Sequence, residues 1–431
     1  LATKFAKNPE VRDANVAAFR AGYALGETLE GTAVRFEVPP APVQPGTYRQ
    51  ISGNKAMALG LMAAAARADL DLFLGAYPIT PATDILSELA TAKEHGVMTF
   101  QAEDEIAAIG AAIGASYAGS LGATSTSGPG MALKSEMIGL AVMLELPLVI
   151  IDVQRAGPST GMPTRTEQSD LNFAMFGRHG EAPLPVLAAA SPSDCFDVAF
   201  EAARIAVEHR TPVIVLSDGY LGNGAEPWQV PDIASLPAIE PRFAGASDLV
   251  NGTFEPYARD ERGVRPWAIP GVAGLEHRIG GLEKADRTGA LSNDAANHAT
   301  MVGLRQAKVD AVRVPDVVVD DPSGAAEILV LGWGSTWGPI AVSARRTRAA
   351  GHAVAVAHLR HLNPLPANLG EVLRSYRHVI VPEMNTGQLA MLLRAKYLVD
   401  AQPWTWVRGE PISPGALSTF LMGLASGEET R

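Results

Sequence analysis

From Gly53 onward the chain alternates two kinds of apolar stretch. "KAMALGLMAAAARA" carries small and apolar residues around a helical repeat, whereas "DLFLGAY", "GVMTFQA", "GATSTSG", "LPLVIIDV" and "TPVIVLSD" are short runs of strand length. Apolar strands alternating with helices predict a parallel sheet covered on both faces. After about Asp218 the rhythm stops, and a stretch to Arg313 rich in Gly, Pro and charge reads as a long irregular connection. Strand, helix and strand resume in "AEILVLGWGSTWGPIAVSARRTRAAGHAVAVAHLRHLNPLP" and again in "HVIVPEMNTGQLAMLLR", a second and smaller α/β domain. Upstream, "NPEVRDANVAAFRAGYALGETLEG" reads as one helix with little to pack against, and the prolines of "FEVPPAPVQPGTYRQISG" make a stiff extended linker. The predicted organisation is the tail of an upstream domain at 1–31, a linker at 32–52, α/β domains at 53–235 and 325–431, and the irregular connection at 236–324.

A length of 431 residues with 47% hydrophobic and 19% charged residues gives a globular balance and room for a large core. The net charge of −11 argues against nucleic acid as a partner, because phosphate binding needs a clustered basic surface, and it disfavours direct docking of an acidic carrier protein. A single cysteine, Cys195, excludes an internal disulfide or a thiolate cluster, so any iron–sulfur centre would sit elsewhere. No apolar run is long enough to span a bilayer and the first residues have no signal-peptide pattern, so a cytoplasmic protein with no membrane partner is expected. The start at Leu1 rather than methionine reads as a fragment whose upstream domain is missing.

Four stretches fall where predicted strands end, and open parallel sheets bind ligands at the carboxyl ends of their strands. In "LGAYPITPATDIL", Pro78 and Pro81 stiffen the segment from Tyr77 to Pro81 around Thr80. That turn suits a site, and it equally suits a helix start with Thr80 as N-cap and Pro81 at the first helical position. In "FQAEDEIAAIGAAIGASYAG" the acids Glu103, Asp104 and Glu105 precede a helix whose larger residues, Ile106, Ile109, Ile113 and Tyr117, share a stripe. The helix dipole alone favours acids there, by roughly 0.3 to 1 kcal/mol. The remaining Ala and Gly let another element approach closely, which would partly bury a carboxylate, raise its pKa and fit it for proton exchange. Arg155 follows "LPLVIIDVQ" and should emerge beside the loop of Gly157, Ser159, Thr160 and Gly161. Its guanidinium fork could hold a carboxylate there, or pair with a neighbouring acid. "TSGPG" could cradle an anion but lacks the lysine of a P-loop.

In this order and spacing, "YPITP", "QAEDEIAAIGAAIGA", "TSTSGPG" and "RAGPSTGMPTRTEQSDL" resemble the α subunits of the 2-oxoacid:ferredoxin oxidoreductases, most of all the 2-oxoglutarate branch. The resemblance covers about Gly53 to Pro227, extends more loosely from about Ala325, and makes residues 1–31 similar to the tail of the γ domain that this branch fuses upstream. It implies an α/β fold, with a thiamine-diphosphate-type pyrimidine-binding domain at 53–235 and a transketolase-C-terminal-like domain at 325–431. It also implies oxidative decarboxylation of a 2-oxoacid with coenzyme A to acyl-CoA and CO2, with electrons passed through a 4Fe–4S cluster to ferredoxin. The diphosphate-binding domain, its Mg2+ and the cluster would belong to a separate β subunit in an α2β2 heterotetramer. In keeping with that, the Gly-Asp-Gly and paired-asparagine signature is absent from this chain, and "SDGYLGN" only echoes it.

Carried over by residue, Glu105, with Glu103 as the alternate, matches the glutamate that hydrogen-bonds the aminopyrimidine ring nitrogen and promotes thiazolium ylid formation. Thr80 matches the threonine near the substrate keto and carboxylate groups, and Arg155 the arginine that receives the 2-oxoacid carboxylate. The same motifs place Pro78, Ile79, Ser127 and Gly128 against the cofactor, and Tyr77, Ser159 and Thr160 against the substrate. Thr164, Arg165 and Thr166, in the loop after Arg155, are candidates for the second pocket that a dicarboxylate such as 2-oxoglutarate needs and pyruvate does not. "GLEH", Gly274 to His277, is also present, but Arg278 and Ile279 stand where the family has an acidic pair, so His277 is given no role. A 2-oxoacid dehydrogenase or transketolase-like subunit, and a catalytically silent assembly subunit that keeps the fold, stay open as alternatives.

Overall fold

The computed structural model describes residues 1–28, 39–40 and 42–427, and the chain divides into two compact units, Leu1–Thr47 and Tyr48–Arg431. The first unit holds one long helix, α1 (Pro9–Thr28), which buries none of its residues. Parts of the tail and linker expected at 1–31 and 32–52 fall on residues 29–38 and 41, outside the described residues. The end of that linker is a strand instead. β1 (Tyr48–Ser52) belongs to the second unit, where it buries Ile51 and pairs antiparallel with Ala225–Gln229.

In the second unit, helices α2 (Gly53–Ala68), α3 (Thr83–Leu89), α4 (Glu105–Tyr117), α5 (Gly128–Leu144), α6 (Leu171–Phe176) and α7 (Asp194–His209) alternate with strands. The strands are β2 (Leu72–Ala76), β3 (Val97–Gln101), β4 (Leu121–Thr126), β5 (Leu148–Gln154), β6 (Val186–Ala188) and β7 (Pro212–Asp218), all parallel. Every residue of β4, β5 and β7 is buried, as a sheet covered on both faces requires, which is why β5 and β7 read as unbroken apolar runs. Helix α4 lies so close to β2 and β4 that a Cβ at Gly75 or Gly122 would run into the carbonyls of Ala108 and Ala112. Its Ala and Gly content predicts that approach.

Beyond α8 (Gly219–Asn223) and β8 (Ala225–Gln229), the stretch 236–324 is less irregular than its composition suggests. It holds the hairpin β9 (Leu249–Val250) and β10 (Thr253–Phe254), the helix α9 (Ala295–Asp310) and the short β11 (Val319–Asp320). Helix α9 shows no apolar stripe because it buries Arg305 and Lys308. Their charges are met by Glu283 and by Glu145, the latter also bound by Arg259. The remaining strands are β12 (Ile328–Trp333), β13 (Ala355–Leu359), β14 (His361–Asn363), β15 (His378–Glu383) and β16 (Ala401–Thr405), with helices α10 (Trp337–Ala349), α11 (Leu369–Arg374), α12 (Gln388–Tyr397) and α13 (Pro414–Ala425). They form a five-stranded sheet of order β11-β13-β12-β15-β16, parallel except at β11. Strand β14 departs from it to pair antiparallel with β6, so the first sheet has seven strands in the order β14-β6-β7-β5-β4-β2-β3.

Two local expectations change. Thr80 does not cap α3: the helix starts at Thr83 behind Ala82, and Thr83 Oγ1 accepts the Ile79 N–H at 2.9 Å, so the Pro-Thr-Pro segment is a turn ahead of the helix. Ile106 is off the buried stripe of α4, which consists of Ala108, Ile109, Ala112, Ile113 and Ser116.

Candidate functional site

The six parallel strands of the first sheet point the same way, so their carboxyl ends share one edge. The register sets Ala76 beside Gln101, Thr126 beside Asp152, and Gln154 beside Asp218. The four stretches singled out in the sequence therefore leave the sheet along a single edge, where ligands of such sheets bind.

Arg155 is buried at the end of β5, and its Nη1 donates to the Thr80 carbonyl at 2.8 Å. Its partner is thus a main-chain oxygen of the Pro-Thr-Pro turn, not the acid that the alternative reading required, and its Nε has no partner among the described residues. Thr80 and Pro78 are exposed, with Tyr77 buried and Ile79 half-buried. The loop that carries Ser159, Thr160, Thr164 and Arg165 is exposed throughout and closed at its base, where Ala156 donates to the Arg165 carbonyl at 3.0 Å. Thr166 lies beyond it and is buried.

The acidic run resolves into three roles. Glu103 is exposed outside the helix. Asp104 caps α4 by accepting from the Ala107 N–H at 2.7 Å. Glu105 is the first helical residue and is half-buried, in keeping with the partial burial that the small residues of α4 predict. Below it, Tyr77 and Thr126 share a hydroxyl–hydroxyl bond at 2.9 Å. Burial, with a smaller push from Glu105, drives the Tyr77 hydroxyl well above its ordinary range. Gly130 makes room for this pair, since a Cβ there would overlap both hydroxyls, so this glycine of "TSGPG" serves packing rather than an anion cradle. Lys134, wholly buried on α5, donates to the Glu105 carbonyl at 2.8 Å and lies 5.0 Å from the Tyr77 ring centroid. Burial pulls it down to about 8, against the opposing charges of Glu105 and Asp104.

Ser127 and Gly128 begin α5. The Ser127 hydroxyl has no partner among the described residues, and neither carboxylate oxygen of the fully buried Asp152 has one. Asp152 faces Asp170, whose carboxyl also lies against Gly128. Burial and then the second carboxylate raise Asp152 well above the usual range, and burial raises Asp170 to about 6. Farther along, Gln168 donates to the Trp333 carbonyl at 2.9 Å, and its main-chain carbonyl accepts from Asn385 at 2.8 Å, which pins the segment after the exposed loop to the second sheet. Asp218 of the "SDGYLGN" echo caps α8 and accepts from Ser335, again a joint between the halves. His277 sits between the rings of Tyr117 and Phe254, a packing position.

Pattern reading missed Lys134, Asp152, Asp170 and Gln168. Lys134 was the most visible of them, because it shares a helical stripe with Met131 and Ile138 and so stands where a core residue belongs. The residues at the edge fit the pyrimidine half of thiamine diphosphate: the half-buried Glu105, the unpartnered Ser127 hydroxyl, and apolar Ile106 exposed at the same helix start. The outermost strand, β3, leaves Met98 and Phe100 at 46% and 45% exposure, an apolar margin suited to a second chain. Among the described residues no helix is long and apolar enough to cross a membrane.

Residues 63–296 match the family "Pyruvate flavodoxin/ferredoxin oxidoreductase, thiamine diP-bdg". The chain is 56% identical over 425 residues to the 2-oxoglutarate oxidoreductase subunit KorA of Mycobacterium tuberculosis, covering 98% of this chain and 64% of that protein. It is 34% identical over 384 residues to the 2-oxoglutarate synthase subunit KorA of Methanothermobacter marburgensis, covering 87% and 98%. The structure of a 2-oxoglutarate:ferredoxin oxidoreductase from Magnetococcus marinus, with 2-oxoglutarate, coenzyme A and succinyl-CoA bound, superposes with a TM-score of 0.90 at 37% identity, over 97% of this chain and 72% of that one. The chain thus spans about two thirds of its mycobacterial relative and nearly all of the methanogen subunit.

Proposed function

Because this chain belongs to the thiamine-diphosphate-binding family of pyruvate flavodoxin/ferredoxin oxidoreductases, we propose that it is the α subunit of a 2-oxoglutarate:ferredoxin oxidoreductase. The reaction converts 2-oxoglutarate and coenzyme A to succinyl-CoA and CO2 and passes the electrons to ferredoxin. The domain at 53–235 supplies the pyrimidine half of the site. The β partner supplies the diphosphate half with Mg2+, the 4Fe–4S cluster and the ferredoxin contact, in an α2β2 assembly.

One observation carries the reading: the Arg155 guanidinium is held at 2.8 Å from the Thr80 carbonyl, at the edge where α4 presents Glu105. When bound, thiamine diphosphate supplies the nucleophilic carbon that attacks the 2-oxo group and the electron sink for decarboxylation. The residues of this chain bind and orient around it. Glu105 holds a proton at the ring nitrogen, a task for a positioned carboxylate. Pro78, Ile79, Ser127 and Gly128 line the cofactor, and Tyr77 fixes the floor between Thr126 and Glu105. Arg155 receives the 2-oxoacid carboxylate through the N–H groups that Thr80 leaves free, and the rigid turn aims the Thr80 hydroxyl at the keto oxygen. Ser159, Thr160 and Thr164 line the loop over the substrate. Arg165 meets the distal carboxylate, a group that pyruvate lacks.

The test is purification with the β partner followed by dye reduction across several 2-oxoacids. Reduction that depends on both 2-oxoglutarate and coenzyme A is the expected result. A colourless, iron-free complex that reduces no dye with any 2-oxoacid would refute it.

A further inference from the structure

Lys134 is a lysine with no exposed surface, on a helix whose other buried residues, Met131, Ile138 and Ala141 among them, are apolar or glycine. An ammonium at such a position is costly unless its donors are used and its charge is met. Three residues outside α5 meet it. The carbonyl of Glu105 accepts its hydrogen bond at 2.8 Å, the Tyr77 ring presents its face at 5.0 Å, and the carboxylates of Glu105 and Asp104 supply the opposing charge. All three lie at the start of α4 or directly beneath it. The lysine does not cap the helix, because its ammonium only donates and the free groups of a first turn are N–H donors, one of which Asp104 accepts.

We propose that Lys134 is a positioning residue for Glu105: it fixes the main chain from which the Glu105 carboxylate projects and sets a buried positive charge near that carboxylate where it meets the cofactor ring. The inference rests on the role given to Glu105 above and extends it to a residue on a different helix. It follows from geometry. The lysine grips the same residue whose side chain must act, and burial leaves its charge unscreened by water, so the coupling is stronger than at a surface. Tyr77, Asp104 and Glu105 are the groups that face it, so any pH dependence it confers passes through these three.

The test compares binding of thiamine diphosphate with binding of its analogue bearing CH in place of the ring nitrogen that faces Glu105. Both are titrated by calorimetry into the complex of this chain with its β partner. In the wild type, loss of that nitrogen should weaken binding about tenfold or more, the scale of one charge-assisted hydrogen bond. Lys134→Met should shrink the penalty to less than about threefold, and Lys134→Arg, which keeps the charge, should restore most of it. A merely structural lysine would weaken both ligands alike and leave their ratio unchanged in Lys134→Met, which would overturn the proposal. If the methionine variant does not assemble, Lys134→Gln decides in the same way, because it keeps a donor but not the charge. A wild-type complex that binds both ligands equally would overturn the assignment of Glu105, and that of Lys134 with it.

Discussion

At the scale of single residues, the two glutamates flanking Asp104 are told apart by two steps of chain. Glu103 precedes the cap and is exposed, whereas Glu105 opens the helix over Tyr77. Glu105→Gln should leave the complex assembled and lower turnover by roughly 10² to 10⁴, while Glu103→Gln should stay near wild type. Steady-state rates of both variants check this, and a dead Glu103→Gln beside a live Glu105→Gln would shift the assignment. Arg155 and Arg165 separate in the same way. Arg155 is fixed to the turn and should be needed for every 2-oxoacid, at a cost of about 1.5 to 3 kcal/mol in transition-state binding. Arg165, exposed on the loop, should matter for 2-oxoglutarate alone, so Arg165→Met should lose about tenfold or more in specificity there and keep any monocarboxylate activity. The carboxyl pair Asp152 and Asp170 gives a stability signature. Both are raised in the folded state, Asp170 to about 6, so the favourable contribution of their protonated form is complete below the ordinary Asp range and is lost as pH rises through about 6. Asp152→Asn removes the second carboxylate. Its melting temperature should therefore fall less than that of wild type between pH 5 and 8.

At the scale of elements, legibility followed the kind of force that builds each one. Strands β5 and β7 and helix α2 were readable because apolar residues fill them. Helix α9 was not, because it buries Arg305 and Lys308 against acids distant in sequence, and no periodicity marks an ion pair made across the fold. The stiffness of the Pro-Thr-Pro turn could be read from its prolines, but its use could not: the same residues would have started a helix had Thr83 not taken the Ile79 N–H. Strand β14 is three residues long and finds its partner in the other half of the unit, beyond the reach of any local pattern. The first turn of α5 offers a direct test of packing at the site. Gly130→Ala should displace Tyr77 from Thr126 and destabilise the fold by about 1 to 3 kcal/mol, the cost of overpacking a filled core. Chemical denaturation measures it, and an unchanged midpoint would mean that the floor of the site is looser than its geometry shows.

At the scale of the whole molecule, the two α/β halves of the second unit are joined by polar contacts that begin just after the exposed loop of Arg165. Gln168 and Asp218 each bind across to the second sheet, and β14 completes the first one. The motif "RTEQSD" therefore divides its labour, with Arg165 at the exposed end of the loop and Gln168 at the joint. The motif was visible in the sequence; this division was not, since it depends on Trp333 and Asn385 some 165 and 217 residues away. At the carboxyl edge of the first sheet the proposed half-site lies in the same sheet as the apolar margin on β3. The most direct measurement is calorimetric titration of thiamine diphosphate with Mg2+ into the isolated chain and into its complex with the β partner. Appreciable binding only in the complex is the expected result, because the proposed function assigns the diphosphate half of the site to the partner. Tight Mg2+-dependent binding by the chain alone would contradict it.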